Sequence, residues 1–243
     1  MIQSKDIIFE IELAPREIFS YSWHIFIEKR GWIFSLLLLT ILPSALVTRL
    51  LRDTGWYVQI PSNLFLLSLT LLGDIILISI AWNAISAGDN SNSSIIISSL
   101  RMLPFFLITR LIQGFLTGFM FLLIIPGVIY LIYWFFVPQV VVLKGLRFGQ
   151  ALAYSKTIVS GRWRKVFIYS LLFVPLALPG IVLNWLHFFT SHPFIAIIYE
   201  VAIFPIPAFY TILFTLLFLN MEATTLVEEL EESKGILMRL RGE

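Results

Sequence analysis

The chain has no cysteine, only three histidines, and few charged residues for its 243 residues. Charged residues make up 13%, about half the share in an average soluble domain. Without cysteine the chain can form no disulfide, no thiolate metal site and no cysteine nucleophile. It also lacks the G-x-S-x-G, Walker-type and H-E-x-x-H patterns of common hydrolases, ATPases and metalloproteases. We therefore expect a protein that is not an enzyme and has neither a cofactor nor a metal site.

Apolar residues are abundant instead: 58% of the chain is hydrophobic and the mean hydropathy is +0.90. Several apolar runs reach the roughly 20 residues with which an α-helix crosses about 30 Å of hydrocarbon. The sequence predicts an all-α, polytopic transmembrane bundle with six spans. The predicted spans are residues 32–50, 62–87, 102–123, 127–143, 166–188 and 194–220.

Polar segments flank this transmembrane domain, which covers residues 32–221. Residues 1–31 form an N-terminal segment whose charges argue against a signal peptide, and residues 222–243 form a C-terminal tail. Two amphipathic helices are predicted to lie in the cytoplasmic-side membrane interface, at residues 15–29 and in an elbow at residues 146–160. Gly161 is suited to end the second of these helices.

The distribution of lysine and arginine predicts the orientation. Four basic residues precede the first span, Arg101 precedes the third, six lie between residues 144 and 165, and three follow the sixth span. The loops on the other side carry only Arg49 and Arg52. Because cytoplasmic loops are enriched in Lys and Arg, both termini are predicted to be cytoplasmic, with the protein in the inner membrane.

Ionisable residues inside predicted spans are candidates for function, because each is costly in hydrocarbon unless it is paired or hydrated. Asp74 and Arg110 fall in consecutive antiparallel spans, and Glu200 falls in the sixth. Asp74 and Arg110 form either a substrate- or proton-coupling pair or a structural feature, which is an ion pair that fixes helix packing or an arginine that extends to the inner interface, and we favour the structural role. Gly114 and Gly118 permit close helix approach, which we attribute to packing within the monomer rather than to a dimer.

Six cations border the elbow helix. They are Lys144, Arg147, Lys156, Arg162, Arg164 and Lys165. Ordinary anchoring at the cytoplasmic side explains most of this cluster, and a surface for anionic lipid or a partner protein is the more specific interpretation. The basic residues are too few and too close to the membrane to indicate nucleic-acid binding. The histidines, His24, His187 and His192, lack metal-site spacing and are interpreted as structural rather than as ligands of a heme or pigment.

Several structural residues form a recognisable pattern. They are Ser22-Trp23 before a basic turn, Pro126-Gly127, Pro138, Gly145, and the elbow residues Ala151, Ser155, Gly161 and Trp163. This pattern resembles a largely uncharacterised bacterial family of polytopic membrane proteins related to the membrane domain attached to glycerophosphodiester phosphodiesterases. Lys144 differs from it, because an acidic residue is expected in that turn. The resemblance implies a helical membrane fold but no catalysis, since the phosphodiesterase domain has no counterpart in this sequence.

Two functions are compatible with these features. We expect a non-enzymatic accessory or scaffold component of a membrane complex that binds anionic lipid at its cytoplasmic face and associates with a protein partner or with itself. The alternative is a transporter or lipid-handling permease that uses Asp74, Arg110 and Glu200.

Overall fold

The computed structural model describes residues 13–50, 55–86, 92–171 and 205–241. Over these ranges every regular element is an α-helix, which confirms the all-α prediction. Residues 163–171 are also helical. The other helices, in chain order, are α1 (Pro15–Glu28), α2 (Arg30–Leu50), α3 (Trp56–Ile85), α4 (Asn92–Met120), α5 (Ile124–Tyr133), α6 (Val137–Lys144), α7 (Phe148–Val159) and α8 (Pro205–Arg241).

Four described segments are long and apolar enough to cross a membrane, which supports membrane insertion. They are Tyr57–Ile85, Ser93–Met120, Ile124–Lys144 and Pro205–Val227. They match the predicted second, third, fourth and sixth spans. Most of the predicted fifth span lies outside the described residues, and the total of six spans stays a prediction.

The break between α4 and α5 lies earlier than the Pro126-Gly127 pair at which the sequence predicts it. Helix α4 ends at Met120 and α5 begins at Ile124, so Pro126 lies in the first turn of α5. Proline fits there because the first N–H groups of a helix need no partner inside the helix. A Cβ added to Gly127 would come within 2.7 Å of the Cα of Phe121. Glycine at this position therefore allows the two helices to turn tightly.

The predicted fourth span, residues 127–143, is two helices rather than one. The chain leaves helical geometry between Tyr133 and Val137, and neighbouring side chains bond the freed backbone groups. Gln113 on α4 donates from Nε2 to the carbonyl of Trp134 at 2.8 Å. Ser155 on α7 donates to the carbonyl of Tyr133 at 2.8 Å and accepts from the N–H of Phe136 at 3.2 Å. Such bonding is what allows a broken helix to exist at membrane depth.

Helix α1 packs along α8 through one face. The backbone N–H of Leu13 donates to Oδ1 of Asn220 at 3.1 Å, and rings on the following turns surround Phe209. Those rings belong to Phe19, Trp23 and Phe26, with centroids 5.2 to 5.8 Å from that of Phe209. This confirms a helix near the predicted residues 15–29, while its interfacial position stays a prediction. Helix α8 continues without interruption past Glu222, where the predicted C-terminal tail begins.

Candidate functional site

A cavity of about 310 Å³ with both apolar and polar lining residues lies between α3, α4, α8 and the broken α5–α6 segment. Apolar side chains form part of its wall, including Ile78 and Phe135. Its polar lining residues are Asp74, Arg110, Gln113, Gln139, Tyr210 and Thr211. Two of the three intramembrane candidates from the sequence therefore meet at one cavity. Glu200, the third, lies outside the described residues.

Asp74 and Arg110 share the cavity without forming an ion pair. None of the salt bridges within 4.0 Å in the described ranges joins them. Arg110 instead donates from Nη1 to Oε1 of Gln113 at 2.8 Å, and Gln113 in turn bonds the carbonyl of Trp134. A direct ion pair, one form of the structural role predicted for these residues, is therefore absent within 4.0 Å, and the choice between a structural and a coupling role stays a prediction. Arg110 contributes to packing through Gln113 and the α5–α6 break.

Gln139 is the cavity residue that sequence reasoning missed. Its side chain is buried, with 5% of the residue exposed, and its Oε1 has no hydrogen-bond partner within the described structure. A buried carbonyl oxygen without a donor is costly, so it favours a water or ligand donor in the cavity. The signal in the sequence is a lone amide within the apolar run of residues 137–143.

A second cavity of about 490 Å³ adjoins the first along α3 and α4. Arg110 and Gln113 line both cavities, so the two cavities are neighbours. The second cavity is a groove that is also lined by Gly114 and Gly118. Nothing in the described structure lies within 4 Å of a Cβ built on either glycine. The predicted close packing of these glycines within the monomer is therefore not seen among the described helices.

The elbow is attached to α8 by Lys144. Its Nζ lies 2.8 Å from Oε1 of Glu222, whose side chain is only 9% exposed, and the hydroxyl of Tyr154 donates to the same oxygen. Gly145, with φ of +67°, ends α6 directly after this lysine, in a left-handed conformation that suits glycine. Glu222 was assigned only to the tail by the sequence. The feature of the sequence that could have identified Glu222 is its position as the first carboxylate after a long apolar run.

Arg162 makes a second attachment at the other end of α7. Its Nη1 donates to the carbonyl of Met221 at 3.2 Å and to Oγ1 of Thr224 and Thr225 at 2.7 and 3.1 Å. Gly161, with φ of +82°, comes just before it and confirms the predicted end of the elbow helix. Lys144 and Arg162 therefore serve the tertiary structure, and the six cations do not form one uniform surface.

The other four elbow cations have different surroundings. Arg147, Lys156 and Arg164 are exposed, and the guanidinium of Arg147 lies 3.5 Å above the ring centroid of Phe105. Lys165 is half-buried, with Nζ 5.6 Å from the ring centroid of Tyr169. The charge available at the elbow surface therefore lies mainly on Arg147, Lys156 and Arg164.

The histidines show no metal-site geometry in the part of the chain that the structure describes. His24 lies on α1, 3.8 Å from a carboxylate oxygen of Glu28, while His187 and His192 lie outside the described residues. No group of three or more His, Cys, Asp or Glu side chains that could hold a metal occurs within the described ranges.

Comparison with family models, curated proteins and solved structures finds no match to this chain. The resemblance to the phosphodiesterase-associated membrane family therefore stays a prediction.

Proposed function

We propose that this protein is a non-enzymatic accessory or scaffold component of a membrane complex and binds anionic lipid at its cytoplasmic face. The observation that carries the proposal is an exposed set of cations, Arg147, Lys156 and Arg164, on an elbow held against α8. Each basic side chain near an anionic leaflet contributes about 1 kcal/mol of attraction. A fixed elbow presents these charges in one arrangement, which suits a partner protein or a layer of headgroups.

The proposal includes the topology predicted from the sequence, with six spans and both termini in the cytoplasm. The start of α4 and the beginning of the basic elbow line one cavity and therefore lie at the same end of the bundle. Arg101 precedes the apolar part of α4 at that end. The charge pattern of this end supports a cytoplasmic position.

Native mass spectrometry of the protein extracted gently from its own membrane tests this function. Copurifying subunits together with anionic lipid are the expected result, and charge reversal by K156E/R164E should reduce both. The variant Q59E, near the start of α3 at the opposite end of the bundle, adds acidic charge away from the elbow and should leave both unchanged. Loss of neither lipid nor partner in K156E/R164E would remove the basis of the scaffold function.

A second candidate function is that of a transporter or lipid-handling permease. It is favoured by the broken helix beside the cavity that Asp74 and Gln139 line. Helix α5–α6 is interrupted where Gln113 bonds Trp134, and the cavity there contains Asp74 and the unsatisfied Gln139. Broken helices beside polar cavities at membrane depth are typical of secondary transporters. The adjoining groove at Gly114 would give the cavity a lateral opening. Glu200 belongs to this proposal on sequence grounds.

Lipid movement in proteoliposomes tests the permease function. Fluorescent phosphatidylglycerol in vesicles with purified protein should move between leaflets, and D74N should stop this movement while the protein stays folded. The exposed variant N63D provides a control with an added carboxylate on the same helix. Equal movement with wild-type protein, D74N and empty vesicles would rule out lipid handling.

A further inference from the structure

A third cavity, of about 470 Å³, lies beside the elbow, between the first turns of α4 and the turn that joins α6 to α7. Its walls are mostly apolar, and two arginines line it, one from each side of the cavity. Its lining includes Arg101, Arg147, Ile97, Met102, Phe105 and Val141. In the sequence, Arg101 is the basic residue that precedes the third predicted span.

The position of Arg147 is fixed by its neighbours. Its guanidinium lies over Phe105 at 3.5 Å, a distance at which the ring face attracts a cation. One turn further along α4, Oγ1 of Thr109 accepts a hydrogen bond at 3.2 Å from the N–H of Phe148, the residue after Arg147. Phe148 has a φ of +48°, which is rare for a bulky side chain, so this contact holds the turn in an unusual conformation. Arg147 is therefore held at the cavity before any ligand binds.

Within the described part of the chain, neither arginine of this cavity forms an ion pair. None of the ion pairs among residues 13–50, 55–86, 92–171 and 205–241 involves Arg101 or Arg147. Guanidinium groups donate several hydrogen bonds in one plane and match phosphate oxygens well. The apolar walls at Ile97 and Met102 match a hydrocarbon chain and would give no advantage to a free inorganic anion.

We propose that this cavity binds one anionic phospholipid. The phosphate lies between Arg101 and Arg147, and an acyl chain lies against Ile97, Met102 and Val141. This inference rests on the proposed lipid-binding function and deepens it: the exposed cations of the elbow attract the anionic leaflet in general, whereas this cavity selects a single molecule.

Lipid titration of the purified protein in detergent, read by native mass spectrometry, separates the two levels of binding. Dioleoylphosphatidylglycerol and dioleoylphosphatidylcholine are titrated against wild-type protein, R101Q/R147Q, and the matched pair K156Q/R164Q. The first phosphatidylglycerol should bind about 30-fold more weakly to R101Q/R147Q, the product of two lost phosphate contacts. K156Q/R164Q should instead lose phosphatidylglycerol from the later, weaker binding steps, because these residues belong to the general basic surface, and its first dissociation constant should stay within about threefold of wild type.

The uncharged variant I97W tests the same cavity by filling it, and remains informative if the double arginine variant fails to fold. I97W should also weaken the binding of the first phosphatidylglycerol. Inorganic phosphate at the same concentration as the lipid should not displace it from wild-type protein. An equal loss of affinity for the first phosphatidylglycerol in both double variants would overturn the proposed lipid site in the cavity. It would still be consistent with binding to the general basic surface. Wild-type protein without preference for phosphatidylglycerol would overturn both proposals. Unchanged binding in I97W, or displacement by inorganic phosphate, would overturn the assignment of a lipid to the cavity.

Discussion

Lys144 and Glu222 are 78 positions apart in the chain, yet Nζ of the lysine lies 2.8 Å from Oε1 of the glutamate. The lysine side chain is 38% exposed and the glutamate side chain 9%, so the pair lies at the edge of the helix bundle. Tyr154 donates to the same carboxylate oxygen and brings the elbow helix into this contact. The elbow and α8 therefore behave as one unit at this end of the protein.

Breaking this pair should lower stability. We expect K144M to cost about 1–3 kcal/mol, because it leaves the nearly buried carboxylate of Glu222 with a weaker set of partners. The variant E222Q should cost less than this, since an amide oxygen can still accept from Tyr154. Thermal unfolding in detergent, followed by tryptophan fluorescence, gives both values.

The double variant K144M/E222Q provides the control for this pair. Removal of both charges leaves no uncompensated group, so its loss of stability should be smaller than the sum of the two single losses. Strict additivity would show that the two side chains do not interact in the folded protein.

Hydropathy predicts much of this fold, because only a long apolar helix can bury its backbone in a bilayer. The predicted span at residues 62–87 overlaps Trp56–Ile85, and the elbow at residues 146–160 overlaps Phe148–Val159. The role of Gly161 at the end of the elbow helix could be predicted from the sequence, because glycine readily adopts the left-handed conformation found there. Hydropathy cannot fix the rotation of each helix about its own axis, because nearly every face of these helices is apolar. That is why the sequence places Asp74 and Arg110 in neighbouring spans but does not predict the hydrogen bond from Arg110 to Gln113.

Two prolines favour the breaks that precede α5 and α6, whereas Pro104 lies inside α4 without interrupting it. Proline has no N–H to donate to the carbonyl four residues earlier, and its ring crowds that carbonyl. Pro126 therefore favours a break near Leu122, which lies between α4 and α5. Pro138 favours a break near Trp134, which lies between α5 and α6. The predicted spans place the first break at Pro126-Gly127, about one helical turn too late, and leave Pro138 inside a continuous span.

The turn between α4 and α5 should depend on the absence of a side chain at residue 127. In G127A the new methyl group would lie 2.7 Å from the Cα of Phe121, so backbone must shift. We expect a loss of about 1–3 kcal/mol of stability in thermal unfolding.

Gly114 gives a matched control on the preceding helix. A Cβ added there meets nothing within 4 Å in the described structure, so G114A should be neutral or stabilise by up to about 1 kcal/mol through helix propensity. A larger loss in G114A than in G127A would mean that another helix packs on Gly114.

The hydrogen bond from Gln113 to Trp134 should stabilise the break between α5 and α6. The variant Q113L leaves the carbonyl of Trp134 and the guanidinium of Arg110 without this partner, and we expect a loss of about 1–3 kcal/mol. Its control is Q150L, an exposed glutamine on α7, which should change stability by less than about 0.5 kcal/mol. Equal stability of Q113L and wild type would show that the break does not depend on this bond.

The lack of cysteine makes the proposed orientation directly testable, because a single introduced cysteine is the only thiol in the chain. Arg164 is exposed beside the elbow, and Tyr57 is 68% exposed at the start of α3, at the opposite end of that helix from its junction with α4. The positive-inside rule places Arg164 in the cytoplasm and Tyr57 on the other side. We expect a membrane-impermeant thiol reagent to label Y57C in intact cells and to label R164C only after the membrane is opened. Labelling of both cysteines from the same side would refute the orientation and, with it, the cytoplasmic lipid surface at the elbow.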